Sequence, residues 1–153
     1  LTEIVDIIKK KVESDNVIVL NPDINDLLDD KIYKLEYINK TYYIPLWHNE
    51  IVYDDSSGND IIVNCIPDLS DNIFIDNNNN LHVKIADKLL NVFNKNKIEV
   101  SIGNKNFEIE SYKLTIVKNQ IYKLSNSGIL NNDENDIFND KKRKDIFFHI
   151  TLE

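Results

Sequence analysis

The chain has 153 residues and a formal net charge of −8, with 42% hydrophobic and 29% charged residues. This acidic balance disfavours nucleic acid as a partner, because nucleic-acid-binding proteins neutralise phosphates with lysine and arginine. No apolar run approaches the roughly 20 residues that a membrane-spanning helix needs, so no membrane partner is expected either.

The first fifteen residues carry an apolar stripe at helical spacing. Ile4, Ile8 and Val12 lie four residues apart, which predicts an amphipathic helix over residues 2–14. Residues 1–15 are therefore interpreted as an N-terminal helix or linker. The chain starts at Leu1 and contains no Met, so we expect it to be a piece of a longer protein.

Residues 16–67 are predicted to form a first β lobe. A strand at 17–20 is followed by a turn at Pro22, and Asp23 can cap a short helix at 24–28. Residues 31–38 alternate as a strand that puts Tyr33, Leu35 and Tyr37 on one face. Asn39 and Lys40 are the predicted two-residue connection to a strand at 41–44. Short strands are also predicted at 51–53 and 61–66.

Residues 68–153 are predicted to form a second β lobe. Strands at 72–75 and 81–85 lead into a short helix at 86–93. The later strands are predicted at 97–102, 106–110, 114–117, 121–124 and 145–152. Many short strands at this spacing predict a mainly β fold, with two tandem small β-sandwich lobes and short helices.

Residue types that carry chemistry are scattered. His48, His82 and His149 show no metal-ligand spacing, and His82 and His149 are interpreted as exposed or satisfied sheet residues. Cys65 lies in an apolar run, which favours a packed core thiol and a reducing compartment. No nucleophile–base pair and no phosphate-binding glycine loop is visible. We therefore expect no enzyme activity, no metal and no cofactor.

Two strands carry apolar side chains at alternate positions. Ile18 and Leu20 share one face of the first strand, and Leu35 and Tyr37 share one face of the strand at 31–38. One interpretation is that all four are core residues. The other is a shallow groove beside an open strand edge, where an extended peptide adds by main-chain hydrogen bonding.

Residues 16–153 resemble the C-terminal substrate-binding region of DnaJ-family co-chaperones. The similarity lies in the order and spacing of several short pieces. In the first lobe these are residues 17–28 and 31–37; in the second they are 68–76, 80–85, 86–93, 102–105, 125–128 and 143–146. No His-Pro-Asp J domain and no Cys-x-x-Cys zinc module is present, and Glu36 replaces a usual lysine of the family.

The resemblance implies two tandem β-sandwich lobes and a client-peptide groove in the first lobe, at Ile18, Leu20, Leu35 and Tyr37. Unfolded or extended polypeptides are then the expected partners. A DnaK-type chaperone would be engaged through a J domain upstream of this chain. The expected location is the cytoplasm, or the host cytoplasm if the AT-rich codon bias suggested by the composition reflects a large DNA virus.

Two alternatives stay open beside client binding. A structural or adaptor β-sandwich, such as a virion component, would bind one fixed protein partner and needs no groove. A hydrolase is the third interpretation, and it is disfavoured because no nucleophile–base pair stands out.

Overall fold

The computed structural model describes residues 4–5, for which only the backbone is considered, together with residues 16–54 and 60–153. The described chain is mainly β, which confirms the predicted fold class. It divides into two compact units: Leu1–Leu69 with Ile129–Lys142, and Ser70–Gly128 with Arg143–Glu153. The predicted lobes differ from this division, because residues 129–142 belong to the first unit although they follow most of the second along the chain.

The first unit contains two three-stranded sheets and one short helix. One sheet has the order β1-β3-β4 with β1 parallel to β3, and the other has the order β2-β6-β5 with β2 parallel to β6. The elements are β1 (Ile4–Val5), β2 (Val17–Leu20), α1 (Ile24–Leu28), β3 (Ile32–Tyr37), β4 (Lys40–Pro45), β5 (Glu50–Asp54) and β6 (Asp60–Cys65).

The core of this unit follows from the period-two pattern of its strands. In β6 the side chains of Ile61, Val63 and Cys65 are buried in alternation with less buried neighbours. The rings of Tyr42 on β4 and Tyr53 on β5 have centroids 5.4 Å apart, so side chains of the two sheets meet. Burial of alternate residues in both sheets is the packing expected of a β-sandwich.

Helix α1 begins at a complete capping box. The Asp23 carboxylate accepts a hydrogen bond from the Asp26 backbone N–H at 2.8 Å, and the Asp26 carboxylate accepts one from Asp23 N–H at 2.9 Å. Two backbone donors that a helix start leaves unpaired are thereby satisfied. This agrees with the predicted cap and fixes the chain between β2 and β3.

The second unit contains a four-stranded sheet in the order β11-β12-β8-β7 and the hairpin β9-β10. Strand β12 runs parallel to β8, and the other pairs are antiparallel. The elements are β7 (Ile73–Ile75), β8 (Leu81–Asp87), α2 (Leu89–Lys95), β9 (Lys97–Ile102), β10 (Lys105–Glu110), β11 (Asn119–Leu124) and β12 (Ile146–Leu152).

One face of the four-stranded sheet is buried and the other is not. Ile146, Phe148, Ile150 and Leu152 of β12 are buried, whereas Phe147, His149 and Thr151 between them are partly exposed. The Phe148 ring lies 6.2 Å from the Phe107 ring of β10, which places the hairpin on the buried face. The opposite face, named here the outer face, is left accessible.

Several predicted local elements differ from the structure. Ile4 and Val5 pair with β3 as a strand, so the predicted helix is wrong at these two residues, and the rest of 1–15 lies outside the described residues. Residues 114–117 form no strand. Helix α2 begins three residues later than predicted because β8 continues to Asp87. Ile38 and Asn39, not Asn39 and Lys40, connect β3 to β4, since Tyr37 pairs with Lys40.

Candidate functional site

The four residues predicted to line a peptide groove lie mainly in the core. Ile18 and Leu20 are 0% exposed and Leu35 is 1% exposed, whereas Tyr37 is half-buried. A side chain without accessible surface cannot contact a client chain. The groove interpretation of Ile18, Leu20 and Leu35 is therefore corrected to the core interpretation, and a binding surface has to be sought elsewhere.

The outer face of the four-stranded sheet brings together both histidines of the second unit with aromatic, aliphatic and charged side chains. The register places Phe74, His82 and Phe147 in one row across β7, β8 and β12. The next row contains Lys84, His149 and Ile121 across β8, β12 and β11. Side chains that share such a row are direct neighbours.

A chain of hydrogen bonds links Asp76, His82 and His149. Nε2 of His82 lies 2.9 Å from Oδ2 of Asp76, and Nδ1 of His82 lies 2.8 Å from Nε2 of His149. We name this arrangement the histidine chain. The two histidines are on neighbouring parallel strands in diagonally adjacent rows, so the register of β8 against β12 creates their contact.

Two phenylalanines hold the His82 ring. The Phe74 ring stacks on it with a centroid distance of 4.4 Å and an interplanar angle of 7°, and the Phe147 ring with 5.0 Å and 15°. Stacking on both sides restricts the ring to one plane. Its two nitrogens therefore stay directed along the line from Asp76 to His149.

The Asp76 carboxylate is fixed by its own loop. Its Oδ1 accepts hydrogen bonds from the backbone N–H groups of Asn78 and Asn80, both at 2.9 Å. Burial opposes ionisation, but the hydrogen bonds from His82 and Asn80 outweigh it and keep the pKa of Asp76 below its ordinary value. At neutral pH Asp76 is thus an anion at one end of the histidine chain.

His149 is at the other end of the chain and lines a groove of about 570 Å³ on the outer face. Burial lowers the pKa of His149, and the neighbouring His82 and Lys84 lower it further. We name this feature the outer groove. Its outer-face residues are Lys84, Ala86, Asn119, Ile121, His149 and Thr151.

Strand β11 forms one side of the outer groove and is an edge of its sheet. Leu152 N–H donates to the Lys118 carbonyl at 2.7 Å, so Lys118 and Leu152 form a hydrogen-bonded pair. Antiparallel ladders alternate hydrogen-bonded with non-hydrogen-bonded pairs. Consequently the N–H and C=O groups of Asn119, Ile121 and Lys123 point away from β12, toward the edge where no other described strand pairs.

The side chain of Ile121 makes this edge apolar. It is 62% exposed and lies directly opposite His149 in the ladder. The open edge offers main-chain hydrogen-bonding groups, and the exposed aliphatic side chain beside the groove offers contact area. This combination is what extended peptides use when they add to a sheet.

The third histidine has a structural role in the first unit. His48 is buried and its Nε2 lies 2.8 Å from the Ile137 carbonyl oxygen. Burial lowers the pKa of His48, against the opposing influence of the Ile137 carbonyl and of Asp133 and Glu134. A neutral ring that donates to a carbonyl ties residues 129–142 to the segment after β4.

Within the described part of the chain, no group of three His, Cys, Asp or Glu side chains is arranged to hold a metal ion. The free thiol of Cys65 is buried at the end of β6, as the apolar run predicts. No helix in the described ranges is long and apolar enough to cross a membrane.

Neither a protein-family model nor a curated protein matches this chain. The assignment of the binding surface therefore depends on the geometry of the second unit alone.

The histidine chain and the β11 edge were not predicted from the sequence. Asp76 and His82 are six residues apart, which is visible in the sequence, but His149 lies 67 residues beyond His82. In the sequence, Asp145 and Glu153 lie four residues from His149 on either side. The nearest hydrogen-bonding partner of the ring is instead His82, which only the pairing of β8 with β12 brings close.

Proposed function

We propose that the chain is a non-catalytic module that binds extended polypeptide segments at the open edge of β11 and in the adjoining outer groove. The single observation that carries this proposal is the edge itself. Asn119, Ile121 and Lys123 direct main-chain groups outward, and Ile121 presents an exposed aliphatic side chain. An added strand would continue the sheet and bury Ile121.

The proposed context is the client-binding part of a J-domain co-chaperone in the cytoplasm, which holds unfolded polypeptide for a DnaK-type chaperone. The edge supports this context because main-chain hydrogen bonds do not depend on the sequence of the client. One exposed aliphatic anchor contributes roughly 1.5–3 kcal/mol when fully buried. The expected affinity for a single segment is therefore weak, about micromolar or poorer.

The test uses a fluorescently labelled peptide with blocked ends, built from alternating valine and threonine. Replacing Ile121 with lysine should weaken binding of this peptide about tenfold or more, because lysine on an edge strand opposes strand addition. The matched control is Ile116→Lys, which changes another exposed isoleucine outside any described strand and should leave binding unchanged.

A second probe separates main-chain pairing from general apolar contact. In the same peptide with N-methyl groups on alternate residues, the backbone N–H groups along one side are removed. That side of the peptide cannot donate hydrogen bonds to the β11 edge. The methylated peptide should bind about tenfold more weakly if the peptide adds as a strand. Equal affinity of both peptides, or equal loss in Ile121→Lys and Ile116→Lys, would contradict the proposal.

A structural or adaptor function is the second candidate, and a different surface favours it. A groove of about 440 Å³ is lined by Leu89, Leu152, Glu153 and the segment Ile116, Val117 and Lys118. Ile116 is 73% exposed and Val117 is 49% exposed, and exposed apolar clusters of this kind often mark contacts with one fixed protein. Under this function Ile116→Lys, not Ile121→Lys, would abolish capture of a single stoichiometric partner.

A further inference from the structure

The histidine chain determines where protons lie in the outer groove. Asp76 is an anion and can only accept, so Nε2 of His82 must donate to it. A single hydrogen can then lie between Nδ1 of His82 and Nε2 of His149, which are 2.8 Å apart. The positions of the remaining protons follow from this constraint.

When both histidines are neutral, Nδ1 of His82 carries no hydrogen and accepts from Nε2–H of His149. Nδ1 of His149 is then bare and is a hydrogen-bond acceptor. When the pair takes up one proton, either ring can carry the charge. In both cases Nδ1 of His149 carries a hydrogen, so one proton converts this nitrogen from an acceptor into a donor.

The residues around His149 determine which ligand group binds more tightly when Nδ1 of His149 becomes a donor. Lys84 lies directly opposite His149 on β8, and Ile121 lies opposite it on β11. A protonated His149 beside a lysine ammonium attracts a group that accepts hydrogen bonds and carries negative charge. A carboxylate meets both requirements.

Resting on the proposed function, we propose that the outer groove selects extended polypeptides that carry an acidic side chain, and that it binds the carboxylate to His149, whose neighbour on the far side is Lys84, with uptake of one proton. A residue opposite Ile121 in an added strand belongs to the same row as His149 and Lys84. The row spacing puts it roughly 10 Å from His149, so a glutamate side chain and the imidazole ring reach toward each other over Ile121.

The other charged groups on the outer face do not change this outcome. Asp76 is paired with His82 at the far end of the histidine chain. Lys123 on β11 lies 3.6 Å from the carboxylate of Asp145, so these two charges largely compensate each other. Among the lysines and arginines of the described residues, Lys84 is left as the one whose charge acts on the His149 ring.

The direction of the pH dependence follows from the pKa of His149 in the free protein. Burial, His82 and Lys84 lower the pKa of His149, so the His149 ring itself is neutral in the free protein at neutral pH. A bound carboxylate favours the protonated form and raises this pKa. By linkage, binding of the acidic peptide takes up a proton and becomes tighter as the pH falls.

The test compares two peptides of the valine–threonine type, one with a central glutamate and one with a central glutamine. Between about pH 8 and about pH 6, the affinity of the glutamate peptide should increase about tenfold, and that of the glutamine peptide should stay nearly constant. His149→Gln should remove this difference in pH dependence between the two peptides. Calorimetry in buffers of different ionisation enthalpy should show proton uptake on binding of the glutamate peptide by the unmodified protein.

Calorimetry on the unmodified protein keeps the test decisive even if the variant does not fold. Equal pH dependence of both peptides, or binding of the glutamate peptide without proton uptake, would overturn the carboxylate site while the proposed function stands. Failure of both peptides to bind at any pH would overturn the proposed function and this inference together.

Discussion

The rings of His82 and His149 face one another across two parallel strands, with Nδ1 of the first 2.8 Å from Nε2 of the second. His82 is stacked between Phe74 and Phe147 and bonded to Asp76, so only His149 has a nitrogen available to a ligand in the outer groove. The negative charge of Asp76 fixes the position of the hydrogen on His82. Through the hydrogen bond between the two rings, it thereby determines which nitrogen of a neutral His149 ring carries a hydrogen.

The first prediction concerns that tautomer. At about pH 8, nitrogen NMR of the histidine rings should show His149 protonated at Nε2 and bare at Nδ1, because Asp76 orients His82. Asp76→Ala should remove the preference, since His82 then has no fixed acceptor. A His149 ring protonated at Nδ1 at this pH in the unmodified protein would contradict the proposed order of donors and acceptors.

The second prediction tests the correction made to the groove residues. Leu35→Ala should lower the free energy of unfolding by about 2–5 kcal/mol, because it leaves a cavity at a fully buried position. Lys34→Ala, the exposed neighbour on the other face of β3, should change it by less than about 0.5 kcal/mol. Chemical denaturation measures both. A Leu35→Ala protein of unchanged stability would restore the exposed-groove interpretation.

The third prediction concerns the turn between β3 and β4. Ile38 has φ of 48° and Asn39 has φ of 60°, the left-handed pair that two-residue hairpins require. A β-branched residue is strained there, so Ile38→Asn should raise the free energy of unfolding by roughly 1 kcal/mol. Ile116→Asn removes an equally exposed isoleucine without positive φ and should raise it much less. Equal effects of the two substitutions would show that the gain does not come from the backbone.

The fourth prediction concerns His48 and pH. The unfolded chain protonates His48 near its ordinary pKa of 6.5, whereas burial lowers the pKa in the folded protein. Between these two values the unfolded state binds more protons, so stability should fall as the pH drops below about 6.5. Urea denaturation should give a shallower pH dependence for His48→Gln, whose amide can still donate to the Ile137 carbonyl. Parallel curves for the two proteins would contradict this role.

The fifth prediction concerns the thiol. Burial raises the pKa of Cys65 to about 12, so almost no thiolate exists at neutral pH. A disulfide reagent should leave the native protein unmodified over hours and should react at once in denaturant. Rapid reaction without denaturant would mean that the core around β6 opens readily.

The sequence predicts which residues share a face of a strand more securely than it predicts which face is buried. The alternation in β3 correctly groups Leu35 with Tyr37, but grouping does not say whether a second sheet covers that face. Coverage depends on the other sheet, whose strand β5 reaches β4 only after the two sheets pack, as the Tyr42–Tyr53 contact shows. The core and groove interpretations were therefore equally compatible with the pattern.

The candidate site was out of reach for a different reason. Period and propensity act over a few neighbouring residues, whereas the register between β8 and β12 arises from packing across a long connection. His82 and His149 each look like ordinary strand residues in isolation. Likewise the edge position of β11 is a property of strand order, which local patterns do not encode.

The path of the chain through residues 129–142 has a consequence for its synthesis. These residues complete the first unit with the buried side chains Ile129 and Leu130, and only after them does β12 enter the centre of the other unit's sheet. A ribosome must therefore deliver the residues up to 142 before the first unit has all its parts, and those up to 152 before the second has all of its strands. Tandem domains usually fold one after another from the N-terminus during synthesis. This chain cannot fold in that order, and we expect its two units to complete their folding almost simultaneously.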